Sequence, residues 1–218
     1  MAIGPRLLAT GFGPFPHAPE NPTEALMRAL AREAPASFGA REFRAVVLAT
    51  DYRRAWATLR RLYATFLPDV VVHFGLARKA KAILVERQAR NSADPAKPDA
   101  AGYAPRVGLA HPSGPAILPA TLQAEAIVSA LQKAGFPARL SDDAGDYVCN
   151  AVFYRSLLAG GDRRVGFLHV PPEGVGGFTR DRLIAAAAIG LTTAVEARRA
   201  GARAAASARE SNAAAGKY

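Results

Sequence analysis

Short apolar runs alternate along this chain with segments whose apolar residues fall three or four apart, and that alternation predicts its elements. Arg6-Leu7-Leu8-Ala9-Thr10 runs apolar into Gly11, the pattern of a buried strand entering a tight loop. Asn21-Pro22-Thr23-Glu24 supplies a cap residue, a proline at the first helical position and a glutamate at the third, so a helix is predicted from there to about residue 32. Residues 40–48 read as a second strand, and residues 51–66 as an Ala- and Arg-rich helix capped by Asp51. Val70-Val71-Val72-His73-Phe74-Gly75 is nearly continuous in apolar character, as in a strand buried on both faces of a parallel sheet, with His73 read as a core histidine. Ile83-Leu84-Val85-Glu86-Arg87 is a further strand, in which Glu86 follows three aliphatics and needs a partner. Residues 92–116, punctuated by Pro and Gly, are expected as a long irregular excursion of the kind that commonly carries function. A short extended piece at Leu118, a helix over 121–134, a strand over 137–141, a helical segment from Cys149, a strand over 165–170 and a long helix from 179 to about 199 complete the chain.

Strands alternating with helices imply a three-layer α/β/α sandwich around a mostly parallel, mixed central sheet. At 218 residues, with no repeat or linker to divide it, the chain reads as a single domain over residues 1–199, followed by a flexible Ala/Arg-rich tail over 200–218. The net charge of +10 raises the possibility of a nucleic-acid partner. The arginines are scattered on presumed helix faces, however, with no aromatic reading motif beside them, so nucleic acid is not expected and a solvated basic surface is. No apolar run approaches a membrane span, one cysteine cannot form an internal disulfide, and the first residues lack a secretory pattern; a soluble, cytoplasmic protein is expected.

The chemistry concentrates on that cysteine. Gly145 and Asp146 are turn or cap residues, and Val152, Phe153, Ser156 and Leu157 continue from Cys149 at helical spacing, so Cys149 should lie in a first helical turn. There the free N–H groups and the helix dipole favour a thiolate and can hold an oxyanion. A lone cysteine also fits a small buried core position. Glu86 and His169 both fall near strand ends, which an α/β sheet can gather into one crevice with Cys149. A thiol, a histidine to take its proton and a carboxylate to orient the imidazole are the parts of thiol catalysis. His17 and His111 lie in loops with less favourable positions. Phe12 and Phe15, in the loop Gly11-Phe12-Gly13-Pro14-Phe15-Pro16 after the first strand, suit either a ligand wall or the core.

At these residues the sequence resembles the type I pyroglutamyl peptidases, or pyrrolidone carboxyl peptidases, over about residues 6–195. Thr10-Gly11-Phe12-Gly13-Pro14-Phe15 is similar to the family's T-G-F-x-P-F, and Asn21-Pro22 to its N-P. Glu86-Arg87-Gln88-Ala89-Arg90-Asn91 resembles E-R-x-A-x-N. The stretch from Ala144 to Tyr154 resembles the nucleophile segment A-G-T-[YF]-V-C-N-x-x-F-Y, and Gly166-Phe167-Leu168-His169-Val170-Pro171 the segment G-F-[IL]-H-[VI]-P. The resemblance implies a cysteine exopeptidase that removes N-terminal pyroglutamate (5-oxoproline) from peptides through an acyl-enzyme. It assigns Cys149 as nucleophile, His169 as base and then acid, and Glu86 as its orienter. A compact, neutral ring with one lactam suits an apolar wall, so Phe12, Phe15, Leu76 and Val148 are expected as substrate-binding residues. No cofactor and no metal is expected; the partners are pyroglutamylated peptides, and a homo-oligomer is left open. The chain departs from the pattern at Phe74-Gly75-Leu76-Ala77-Arg78-Lys79-Ala80, where the family has V-G-x-A-G-G-R, in the arginine sought after Asn91, and at Asp146, where a threonine is usual. Two other readings stay open: a relative that binds small cyclic N-terminal groups with no turnover or another specificity, and a basic nucleic-acid-associated protein.

Overall fold

Strand residues of this chain point alternately to two apolar layers, and the architecture follows from covering both. In the computed structural model, which describes residues 4–15 and 18–215, the elements in chain order are β1 (Arg6–Phe12), α1 (Pro22–Leu30), β2 (Glu42–Leu48), α2 (Tyr52–Thr65), β3 (Val70–Leu76), β4 (Ile83–Glu86), β5 (Gln88–Arg90), β6 (Ile117–Pro119), α3 (Ala124–Lys133), β7 (Ala138–Ser141), α4 (Val148–Leu158), β8 (Arg164–Val170) and α5 (Arg180–Ala215). Six strands form one sheet in the order β2-β1-β3-β8-β4-β7, and β5 and β6 form a separate antiparallel pair. Leu7, Ala9, Val70, Val72, Phe74, Ile83, Val85, Leu168 and Val170 face a layer that includes residues of α1, α3 and α5. Their neighbours Leu8, Phe12, Val71, Val165 and Phe167 face the other way, against α2 and α4. The result is the α/β/α sandwich with a mostly parallel sheet that the alternation of elements predicts.

Two features depart from the sequence reading. First, β4 runs antiparallel to β8, with Leu84 opposite His169 and Glu86 opposite Phe167, while β7 pairs parallel to β4. Glu86 therefore lies deeper in the sheet than His169 instead of beside it at a shared strand end. Second, α5 does not stop near residue 199 but continues to Ala215. Ala and Arg are strong helix formers, so the composition that argues against core packing does not argue against helix.

Helix entries follow the capping chemistry. Asn21 Oδ1 accepts from the Thr23 N–H at 3.1 Å, and Asp51 Oδ1 from those of Arg53 and Arg54 at 2.8 and 2.9 Å. His73 is a core histidine. Its Nδ1 lies 2.7 Å from Thr10 Oγ1 and its Nε2 3.0 Å from Ser156 Oγ, which also accepts from the Tyr63 hydroxyl at 2.9 Å. This buried chain ties β1 and β3 to α4 and α2, and burial lowers the His73 pKa to about 3, so the ring is neutral.

Candidate active site

Because side chains alternate along strands, Gly75, His169, Phe167, Leu84 and Glu86 all point to the α4 side of the sheet. Above them stands the start of α4, whose N-cap is Tyr147 with no side-chain cap, so that Cys149 sits in the first turn among N–H groups that have no intrahelical acceptor. The loop before α4 ends at a half-buried thiol. Gly75, paired in register with His169, leaves it room: a Cβ there would lie 3.0 Å from Cys149 Sγ and 2.7 Å from the Phe167 ring. The requirement for glycine comes from a close approach, since no left-handed backbone is involved.

His169 Nδ1 lies 2.8 Å from Glu86 Oε1, and Cys149 is a second side-chain partner of the imidazole. Burial by itself pushes the imidazole towards neutrality. The hydrogen bonds and charges of Cys149 and Glu86 outweigh it and raise the pKa to about 9. Glu86 is 1 % exposed, and its Oε2 has no hydrogen-bond partner among the described residues, so the carboxylate acts on His169 in a dry setting. The antiparallel course of β4 creates that setting by drawing Glu86 below the imidazole.

A cavity of about 510 Å³ opens over this cluster, with Cys149 and His169 in its wall beside Phe12, Phe15, Leu76, Leu84 and Tyr147. Phe12 is both wall and core: it is 1 % exposed and stacks with Phe167 at a 6.5 Å centroid separation. Phe15 is half-buried and packs against Tyr147 at 6.0 Å. Their loop is held from below. Thr23 Oγ1 accepts from the Phe12 N–H at 2.9 Å, while Asn21 Nδ2 and Thr50 Oγ1 donate to the Gly13 carbonyl at 3.1 and 2.8 Å. Leu76 closes the end of β3 and lies in the wall. Val148 is different: its side chain is fully buried in the core layer under α4 and does not line the cavity, because the first turn directs it inward.

The long excursion is stitched to the nucleophile segment. Asn150 donates to the Arg90 and Ser92 carbonyls at 2.8 Å each and accepts from the Arg90 N–H at 3.0 Å. Lys97 Nζ reaches both oxygens of Asp146 at 2.7 and 2.9 Å, the Asp94 N–H donates to the Asp146 carbonyl at 2.8 Å, and the Tyr147 hydroxyl donates to the Pro98 carbonyl at 3.1 Å. The carboxylate at 146 thus has a cation, which it shares with Asp94, 3.3 Å from the same Nζ. In the altered loop after β3, the Ala80 N–H donates to the Ala77 carbonyl at 2.9 Å, closing a turn over Arg78 and Lys79 in which neither has positive φ, so this turn does not need two glycines. Arg87 pairs with Asp142 through Nε at 2.8 Å, an exposed structural ion pair. His111 contacts Asn91 and Ser113 and is not in the cavity wall, and His17 lies outside the described residues. Sequence reading missed Gly75, Leu84, Thr50 and Tyr147. Only Leu84, two residues before Glu86, and Tyr147, two before Cys149, left a signal, in strand alternation and in proximity.

An α/β/α sandwich that sets a thiol and an imidazole in the wall of one apolar cavity, with a buried carboxylate on the imidazole, is the frame of a cysteine peptidase. Comparison with known proteins gives the particular family: residues 5–208 match the family model described as pyroglutamyl peptidase. Similar proteins include the pyrrolidone-carboxylate peptidase of Thermococcus litoralis, 35% identical over 170 residues covering 76% of each chain, and that of Chromobacterium violaceum, 40% identical over 165 residues covering 76% of this chain and 77% of that one. Among solved structures, pyroglutamyl peptidase I of Bacillus amyloliquefaciens superposes with a TM-score of 0.80 at 28% identity, covering 89% of this chain and 98% of that one. The chain belongs to the pyroglutamyl peptidase family.

Proposed function

We infer that the protein is a cysteine exopeptidase that removes N-terminal 5-oxoproline from peptides. The observation that carries this reading is the wall of the cavity beside Cys149: Phe12, Phe15 and Leu76 offer apolar contact to a ring, and its two carboxylates, Asp143 and Asp146, are already paired with Arg90 and Lys97. A charged α-amine would find no unpaired carboxylate in that wall among the described residues, whereas a lactam needs none. The names of the relatives support the same substrate.

In the mechanism, the Cys149 thiolate attacks the carbonyl carbon between the oxoproline and the next residue. The N–H groups of the first turn of α4, that of Cys149 foremost, hold the resulting oxyanion. His169 keeps its proton at neutral pH, hands it to the departing amine, and then takes a proton from the water that hydrolyses the thioester. Glu86 fixes the imidazole and stabilises its charged form. Phe12 and Phe15 grip the ring with Leu76, and Val148 supports the first turn from within the core. A cytoplasmic setting fits the single free thiol, and assembly into a homo-oligomer is compatible with this reading; no helix among the described residues is long and apolar enough to cross a membrane.

The test is a pair of fluorogenic amides of 5-oxoproline and of proline, which differ in the lactam carbonyl and in the charge of the ring nitrogen. Hydrolysis of the first alone is expected; equal or preferred hydrolysis of the prolyl amide would overturn the assignment.

A further inference from the structure

One cation in the cavity wall has no carboxylate of its own among the described residues, and its place points to the leaving side of the substrate. Of the charged side chains in the wall outside the reacting cluster, Asp146 is bound by Lys97 at 2.7 Å, which also holds Asp94 at 3.3 Å, and Asp143 is bound by Arg90 at 3.6 Å. Arg78 has no ion pair or side-chain hydrogen bond among the described residues, although it lines the same space and is exposed. Lys79 and Lys81 beside it are exposed and equally unpaired among the described residues, so the rim there is positive.

The turn that carries Arg78 is anchored. The Ala77 N–H donates to the Val170 carbonyl at 2.9 Å, next to His169, and the Ala80 N–H closes the turn. Arg78 stands three positions after Gly75, whose missing Cβ would have met Cys149 Sγ at 3.0 Å. Three residues of chain span at most roughly 11 Å, and an arginine side chain can cover part of that distance back, so the guanidinium falls within reach of the first residue beyond the scissile bond.

We propose that Arg78 is a specificity-determining residue that binds a carboxylate on the residue following the pyroglutamyl group. Two sources present that chemistry: an acidic side chain at that residue, or the free α-carboxylate of a pyroglutamyl dipeptide. A planar guanidinium with five donors suits either one. The other exit from the site, past Leu76 into a second cavity of about 500 Å³, has the opposite balance. There Arg28 and Arg180 are taken up by Glu24 and Glu173, and Glu20 has no ion pair among the described residues, so a leaving chain that ran that way would favour a basic residue instead.

This inference rests on the pyroglutamyl peptidase reading, and the experiment separates the two. kcat/KM is measured for pyroglutamyl-alanine amide, pyroglutamyl-aspartate amide, pyroglutamyl-lysine amide and pyroglutamyl-alanine with a free carboxylate, using the wild type, Arg78→Gln and Arg78→Glu. Ratios are taken within each enzyme so that any common change cancels. The wild type is expected to prefer at least one carboxylate-bearing substrate over the neutral amide by roughly two- to fivefold at low salt, with the preference shrinking as ionic strength rises. Arg78→Gln should abolish that preference and Arg78→Glu should turn it towards the lysine substrate. Preference for the aspartate amide identifies the side-chain source, and preference for the free dipeptide the terminal one. Cleavage of all four with ratios that the substitutions do not move, or a wild-type preference for lysine, overturns the role of Arg78 alone; failure to cleave any of them overturns the functional reading and this inference together.

Discussion

Glu86 and His169 illustrate how much of the chemistry lies in one contact. The carboxylate is buried with the imidazole as its side-chain partner at 2.8 Å, and the pair together with Cys149 keeps the imidazole protonated well above its ordinary range, to about 9. Replacing Glu86 with Gln keeps the shape and removes the charge. The maximal rate should fall at least about tenfold, on the order of 1.4 kcal/mol, with a smaller change in KM and a downward move of the His169 titration, because the carboxylate acts on the imidazolium and not on the bound ring. Steady-state kinetics and an NMR titration of the imidazole check it; an unchanged maximal rate would reduce Glu86 to a buried structural acid. These two residues are legible in the sequence because a carboxylate after three aliphatics and a histidine before two prolines break an otherwise apolar pattern. Gly75 is not. A glycine at the end of an apolar strand reads as punctuation, and only the approach of Cys149 Sγ and the Phe167 ring reveals that a methyl group has no room there.

Among the elements, the β1–α1 loop and α4 carry opposite lessons. The N-cap at Asn21 and the first-turn cysteine are local features, set by residues within four positions, and the sequence displays both. The two phenylalanines of the loop cannot be sorted in the same way, because whether a side chain meets ligand or core depends on strands far away in sequence. The structure separates them. Phe12, stacked on Phe167, should cost about 3–5 kcal/mol of stability when truncated to Ala. Phe15, half-buried against Tyr147, should cost less in stability but lose roughly 10- to 200-fold in selectivity for the oxoproline ring. Thermal unfolding and kcat/KM on Phe12→Ala and Phe15→Ala measure both effects; a Phe15→Ala enzyme with normal selectivity would remove that side chain from the ring site. The direction of β4 is also hidden from the sequence. Its four residues carry no mark of which way they pair, and placement of β8 between β3 and β4 comes from partners far apart in the chain, such as Val70 with Arg164 and Glu86 with Phe167.

At the scale of the whole molecule, two histidines on the same face of the sheet act on stability in opposite directions. His73 is kept neutral with a pKa lowered to about 3, so the unfolded chain binds a proton that the native state does not once the pH drops below ~6.5; its contribution is present above that pH and lost as the pH falls towards 3. His169, raised to about 9, contributes fully below ~6.5, and its contribution is lost as the pH rises through 9. With respect to these two groups, Tm should therefore be greatest near pH ~6.5 and fall on both sides. His73→Leu should flatten the acid limb and His169→Gln the alkaline one, whatever their effects on absolute stability; limbs unaffected by these changes would refute the linkage. The fold class is readable because the alternation of elements admits few sandwiches, whereas the course of α5 past residue 199 is not, because weak core packing and helix propensity are separate properties. Rapid quenching of a 5-oxoprolyl ester reaction followed by mass spectrometry shows whether the Cys149 thiol carries the acyl group of a pyroglutamyl substrate. A single 5-oxoprolyl adduct is expected on the peptide that contains Cys149, formed and lost at rates matching turnover, with neither adduct nor appreciable turnover in Cys149→Ala. Full turnover in that variant, or turnover in the wild type through an adduct on any other residue, would contradict that role of Cys149.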